Sequence, residues 1–190
     1  MPAPDFSLIG KVARQLTQAP AYATAEGLRV SLLTVAAGSY GFKSDNEDLT
    51  QPTGFDPEAA RLFEAVVESA FLVAHADGDF DATEQAAFQH VVVTACAGAV
   101  AERQVSALLA DLQDQLVEDG VDKRIQMVAR AITREDHARE VLRVASLLAH
   151  VSGGVSKVER EVLDKLASEF KLSGAAVEQA IEEAVHALHE

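Results

Sequence analysis

The chain has 190 residues, 48 % of them hydrophobic and 24 % charged, and 30 acidic against 16 basic residues give it a formal net charge of −14. A chain of this length can bury roughly 70 % of its unfolded surface, so its fold requires neither a disulfide nor a structural metal. The acidic surface repels phosphate backbones and anionic headgroups, which argues against nucleic acid and membrane surfaces as partners. Aromatic residues make up only 5 %, with no Trp, which disfavours an aromatic-rich β-sandwich or barrel.

Cysteine usage and the N-terminal sequence both predict a cytoplasmic protein. The single cysteine, Cys96, lies in an apolar stretch and cannot form an internal disulfide, which fits a reducing compartment. We interpret it as a small core side chain rather than a nucleophile. The first residues lack the pattern of a signal peptide, and no apolar run approaches the ~20 residues that a spanning helix needs, so we expect no direct membrane insertion.

Helical periodicity extends along nearly the whole chain. Apolar residues three or four apart predict a first helix between Asp5 and Pro20, and a second from about Thr24 to Ala37 with Val35 on its apolar face. Residues 39–54 contain Gly, Pro and an acidic run without an apolar period, which predicts a linker. Later helices are predicted at about 56–76, 82–97, 101–118, 122–132, 135–151, 157–170 and 174–189.

These patterns predict an all-α fold of about nine helices. The linker favours a division into an N-terminal helical extension with its linker, residues 1–54, and a helical domain, residues 55–190. No segment alternates with period two for long enough to require a strand. Two repeated helix–turn–helix units are expected to form the core of the bundle.

An internal repeat with an offset of 75 residues defines these two units. Residues 66–84 align with residues 141–159 without a gap and share seven identities over the 19 positions. Gly78 and Gly153 fit the left-handed position that ends a helix. Asp81 and Glu84 of the first copy correspond to Ser156 and Glu159 of the second, and each pair matches the S/T/D-x-x-E pattern of a capping box.

Two aspartates in the first copy have no counterpart in the second. The acidic turn, which we define as residues 77–84, contains four carboxylates, whereas the second turn, residues 152–159, has Ser152 and Gly154 in place of Asp77 and Asp79. Capping accounts for Asp81 and Glu84 only. Hard divalent cations bind such oxygen clusters, and Ca²⁺ tolerates irregular geometry better than Mg²⁺. The spacing leaves two interpretations open, a divalent-metal site and a solvated acidic turn.

Charge distribution and spacing bear on the strength of such a site. Residues 61–122 contain 12 acids and two arginines, so most of the net charge belongs to the segment with the acidic turn. The turn matches only the second half of an EF-hand loop, which predicts a dissociation constant on the order of 10⁻⁴ M or weaker. Glu64 and Glu68 on the preceding helix could supply further oxygens if they point toward the turn.

The segment from Phe71 to Gly78, followed by Asp81 and Glu84, resembles the tellurite-resistance TerB family, and Leu147–Gly154 resembles a second, decayed copy. The resemblance covers residues 55–190. It implies an all-helical domain with two pseudo-symmetric halves, which acts in bacterial tellurite and chemical-stress responses as a metal-sensing or adaptor module. It also implies a divalent-metal site formed by residues of the acidic turn, Asp77, Asp79, Asp81 and Glu84.

The remaining charged residues give weaker signals. His75 and His150 occupy equivalent last-turn positions, which favours a histidine placed by the helix dipole over a metal ligand. Six basic residues are interleaved with acids and predict a balanced, solvated face: Lys123, Arg124, Arg130, Arg134, Arg139 and Arg143. A docking surface for an acidic partner, or for a second copy in a homo-oligomer, is the alternative.

The sequence as a whole favours a non-enzymatic, TerB-like domain that binds a divalent cation weakly and interacts with a protein partner. No zinc-protease, C-x-x-C or phosphate-loop motif occurs in it. The alternative is a purely structural helical adaptor whose acidic turn binds nothing.

Overall fold

The computed structural model describes residues 6–20, 30–42, 55–78 and 80–189. Within these ranges the chain forms nine α-helices, one short 3₁₀ helix at His150–Ser152 and no strand, which confirms the all-α prediction. The α-helices are α1 Phe6–Thr17, α2 Leu32–Tyr40, α3 Pro57–Ala74, α4 Ala82–Ala95, α5 Glu102–Asp119, α6 Val121–Ala131, α7 Glu135–Ala149, α8 Lys157–Glu169 and α9 Gly174–His189.

The two repeated units provide the centre of the bundle. Helix α3 with α4, and helix α7 with α8, form the two helix–turn–helix units, and α3 packs directly against α7. Equivalent residues of the two copies, Val66 with Val141 and Leu72 with Leu147, are all buried. Helix α3 begins as predicted, with Pro57 in the first turn and the Asp56 carboxylate accepting hydrogen bonds from the backbone amides of residues 58 and 59.

The second predicted helix begins later than expected, and Val35 of its predicted apolar face is exposed, whereas Leu32 of that face is buried as expected. Its proposed first turn lies outside the described residues, but Val30 is extended and pairs with Gln18, and Ser31 caps a helix that begins only at Leu32. This register leaves Val35 60 % exposed, and the helix passes through Gly38 to Tyr40. The Ser31 side chain accepts the amide of residue 34, which satisfies a free donor at that point and fixes the start.

Helices α1 and α2 share one hydrophobic core with the rest of the bundle. Two charged residues on α7 contact their ends, because the Glu140 carboxylate accepts the amide of Leu32 and the Arg143 guanidinium donates to the carbonyls of Gln15 and Gln18. The Glu140 carboxylate therefore lies at the N-terminal end of α2, where the helix dipole is positive. The Arg143 guanidinium lies at the C-terminal end of α1, where the dipole is negative. The predicted boundary at residue 54 lies outside the described residues and stays a prediction.

Two of the six basic residues predicted on a solvated face are buried instead. Arg143 makes the backbone contacts just described, and Arg124 donates to Glu68 of α3 and to Asp119 of α5. Each buried guanidinium has at least one acceptor far along the chain, Glu68 for Arg124 and the carbonyls of Gln15 and Gln18 for Arg143, which the local pattern does not show. Arg134 and Arg139 form exposed ion pairs with neighbouring acids, as that prediction requires. Across the described ranges, no helix has both the length and the apolar character needed to cross a bilayer.

Candidate functional site

The acidic turn begins where α3 ends. His75 closes that helix, and Gly78 follows with φ 83°, a left-handed conformation that glycine adopts without the strain of a Cβ. Its amide donates to the carbonyl of His75. Gly153 occupies the same place in the second turn, with φ 123°. The prediction that both glycines terminate the first helices of their units is confirmed.

Both predicted capping boxes are present. The Asp81 Oδ1 atom accepts the amides of Thr83 and Glu84 at 2.7 and 2.9 Å, and Glu84 Oε2 accepts the Asp81 amide at 3.2 Å. In the second turn, Ser156 Oγ accepts the Glu159 amide at 3.3 Å and Glu159 Oε2 accepts the Ser156 amide at 2.7 Å. One oxygen of each of these carboxylates is therefore committed to backbone amides.

Replacing Asp81 by alanine is expected to destabilise the protein by about 1 kcal/mol, because two amides at the start of α4 lose their acceptor. Asp81→Ser provides the matched control, since serine caps the equivalent helix in the second unit and should retain most of the stability. Urea denaturation of the two variants and the wild type measures the difference. Equal stability of Asp81→Ala and the wild type would show that the cap contributes nothing.

The predicted metal ligands are only partly brought together. Asp77 and Asp81 are exposed and Glu84 is half-buried, while Asp79 lies outside the described residues. Among the residues that the structure describes, no group of three or more His, Cys, Asp or Glu side chains could hold a metal ion. The four-residue site, Asp77, Asp79, Asp81 and Glu84, thus stays a prediction.

The suggestion that Glu68 points toward the acidic turn is wrong. Its Oε1 accepts a hydrogen bond from Arg124 Nε at 2.6 Å, and both side chains are about nine-tenths buried. Burial raises the pKa of Glu68, against the opposing effect of the Arg124 guanidinium, and nearby Glu64 raises that pKa further. Because Arg124 lies on the adjacent helix α6, Glu68 faces that helix rather than the turn.

A cavity of about 370 Å³ lies between the two turns. Three carboxylates line it: Asp77 and Glu84 from the acidic turn and Glu159 from the second turn. The other lining residues are small, apolar or hydroxyl-bearing, namely Ala74, Phe80, Gly153, Gly154, Val155 and Ser156. The repeat alignment indicated Glu159 only as a cap, and its position opposite the acidic turn depends on how the two units pack.

His75 lies beside this cavity in an aromatic cluster. Its ring centroid is 4.2 Å from that of Phe71 and 4.6 Å from that of Phe80, and Phe80 in turn contacts Phe88. Burial lowers the pKa of His75 from its ordinary value, although the Gln113 side chain and the Asp77 carboxylate favour the protonated ring. The predicted place of His75 at the helix end is confirmed.

Comparison with known proteins leaves the family open. No family model, curated protein or solved structure matches this chain. The TerB-like resemblance therefore stays an expectation that depends on the residues quoted for it.

Cys96 is buried, as predicted, and lies at the end of α4. Burial raises the pKa of its thiol to about 12. The thiolate is the reactive form of cysteine, so Cys96 is a poor nucleophile near neutral pH.

Proposed function

We propose that the protein is a non-enzymatic helical interaction module whose acidic turn binds a divalent cation weakly and communicates that state to a protein partner. The observation that supports this proposal is the cavity between the two turns, where Asp77 and Glu84 face Glu159. A cavity lined by three carboxylates attracts cationic groups. Its volume falls at the lower end of the range of about 300–1,000 Å³ that is typical of ligand pockets.

Cation binding at the turn is expected to be weak because capping already uses part of the ligand set. Asp81 Oδ1 and Glu84 Oε2 accept backbone hydrogen bonds, so an ion would depend on their second oxygens, on Asp77 and on Asp79. Ca²⁺ or a Mg²⁺-like ion is the expected ligand, with a dissociation constant on the order of 10⁻⁴ M or weaker.

The biological setting in this proposal follows the TerB-like resemblance. The resemblance implies a tellurite or chemical-stress response, in which the protein acts through a protein partner or through a second copy of itself. The cytoplasmic location in this proposal comes instead from the single cysteine, which fits a reducing compartment. The acidic segment of residues 61–122 would meet a basic surface on that partner. Such an interaction weakens with salt, because exposed charges are screened.

Metal titrations test the cation site. Binding of Ca²⁺ and Mg²⁺ is followed by NMR, and binding of Mn²⁺ and Zn²⁺ is followed by calorimetry. We expect saturable shifts centred on residues 77–84 that Asp77→Asn and Asp79→Asn each abolish. Asp81→Ser separates ligation from capping, since it keeps a cap but removes a carboxylate.

A purely structural adaptor is the second candidate. It is favoured by the capping roles of Asp81 and Glu84, which account for two of the four carboxylates of the acidic turn without a ligand. Equal, unsaturable responses of the wild type and of both asparagine variants would support it and would exclude the cation site.

A further inference from the structure

Helix α2 differs in length and composition from the helices around it. It has nine residues, Leu32–Tyr40, and residues 30–42 contain no charged side chain, although the chain as a whole carries a net charge of −14. Isolated helices shorter than about 12–15 residues are marginal in water. The helical state of α2 therefore depends on the surface against which it packs.

Most of that surface belongs to one other helix. Helix α2 packs extensively against α3 and only slightly against α1, whereas α1 packs against α4, α7 and α9. The ring of Tyr40 stacks on the ring of Phe63 in α3, with the ring centroids 4.6 Å apart. Helix α2 thus adds to the shared core mainly through its contact with α3.

The buried side chains of α2 have the spacing of a helix that binds in a groove. Leu33, Ala36, Ala37 and Tyr40 are all buried and follow one another at positions i, i+3, i+4 and i+7. This spacing of anchors is typical of an amphipathic helix that lays its apolar face into a groove on a partner. Here the groove and the helix belong to the same chain.

Single polar contacts attach the two ends of α2 to the rest of the bundle. At the first turn the Leu32 amide donates to the Glu140 carboxylate, and after the last turn Gln104 Nε2 donates to the Gly41 carbonyl at 3.4 Å. One hydrogen bond contributes roughly 0.5–3 kcal/mol, with the larger values for charged acceptors. Segments held by few contacts open locally at a lower free energy than the core of the same protein.

The chain on either side of α2 allows the helix to leave α3 while its neighbours stay in place. Residues 43–54 connect Phe42 to Phe55, and a chain of that length spans up to about 40 Å when extended. On the other side, the pairing of Val30 with Gln18 is an isolated bridge rather than part of a sheet. Movement of α2 therefore requires no movement of the helices α3 and α7.

We propose that α2 is a displaceable strap, which occupies in cis a helix-binding groove on α3 that also accepts an apolar helix of a protein partner. The partner helix presents a large apolar side chain where α2 has Leu33 and an aromatic ring where α2 has Tyr40. It presents small side chains at the positions of Ala36 and Ala37. The closed strap lowers the apparent affinity for the partner, because only the open fraction of the molecules can bind. This inference goes beyond the proposed function, since the groove does not involve the acidic turn.

Native-state hydrogen exchange of the full chain, followed by NMR, tests whether α2 opens by itself. We expect the hydrogen-bonded amides of α2 to exchange at least about 100-fold faster than those of α3, through an opening that low concentrations of urea do not promote. Exchange of the α2 amides only through global unfolding would overturn the inference.

A labelled peptide of residues 30–42, with two lysines added for solubility, stands in for the partner helix. Tyr40→Ala in the full chain weakens the strap and leaves the groove on α3 unaltered, so this variant should bind the peptide at least about tenfold more tightly than the wild type. NMR shifts should lie around Phe63. Val35→Ala is the matched control, because Val35 lies on the same helix and is 60 % exposed, and it should bind like the wild type.

Three further results would contradict the inference. The first is equal affinity of the peptide for the wild type and for Tyr40→Ala. The second is equal binding of a peptide that itself carries Tyr40→Ala. The third is loss of the folded signals of α3 and α7 in the Tyr40→Ala chain, which would show that α2 belongs to the cooperative core. Metal titration reports on residues 77–84 instead, so the cation site and the strap can each fail while the other holds.

Discussion

Replacing Arg124 by methionine is expected to destabilise the protein by about 3–5 kcal/mol, because the carboxylate of Glu68 then stays buried without its cation. In the wild type, Arg124 Nε lies 2.6 Å from Glu68 Oε1, and each side chain is only 9 % exposed. The same guanidinium donates to Asp119, the last residue of α5, at 3.2 Å, so the substitution also removes this ion pair. Chemical denaturation with urea at pH 8 measures the change in the free energy of unfolding.

The loss of stability caused by Arg124→Met should become smaller as the pH falls. Burial raises the pKa of Glu68 and Arg124 opposes that rise, so removing Arg124 shifts the pKa further upward. A carboxyl with a raised pKa in the folded state binds its proton more tightly there than in the unfolded chain, so protonation favours folding. The stability deficit of Arg124→Met relative to the wild type should therefore shrink as the pH falls through the raised pKa, and a deficit that is the same at pH 5 and pH 8 would contradict this account.

The double variant Glu68→Leu, Arg124→Met serves as the control for the ion pair. Removing both charges eliminates the unpaired buried carboxylate, so the double variant should recover much of the loss seen with Arg124→Met alone. If the effects of the two substitutions on the free energy of unfolding are instead additive, the two charges are not coupled, and lost packing explains the destabilisation.

Replacing Gly41 by alanine is expected to cost about 3 kcal/mol. The φ angle at Gly41 is −60°, so the backbone is unstrained, but an added Cβ would lie 1.7 Å from the carbonyl oxygen of Ala99 and 2.9 Å from its carbon. The obstacle is backbone rather than a flexible side chain, so the end of α2 or the segment after α4 has to move. Thermal and urea denaturation report the loss.

Gly38→Ala is the matched control, because Gly38 lies inside α2 and a Cβ added there would meet nothing within 4 Å. Alanine at this position should stabilise the protein by about 0.5–1 kcal/mol through its higher helix propensity. Equal effects of the two substitutions would show that the contact between Gly41 and Ala99 does not constrain the fold.

Part of the candidate site could be predicted from the sequence because it depends on residues close together in the chain. The spacing of Asp81 and Glu84, and of Ser156 and Glu159, predicted two capping boxes that the structure contains. The 75-residue repeat predicted the two equivalent turns. The cavity between them could not be predicted, since Glu159 and the acidic turn are 75 residues apart and meet only through helix packing.

The same distinction holds for the fold. Apolar periodicity, Asp56-Pro57 and the terminating glycines determined most helix positions, because these signals act within one or two turns of the chain. The tertiary structure decided three other features. These are the burial of Arg124 and Arg143, the register of α2, and the room for a Cβ, which is present at Gly38 and absent at Gly41. Each depends on a partner far along the chain, such as Glu68, Glu140 or Ala99, and local sequence carries no information about which distant backbone or charge a residue will meet.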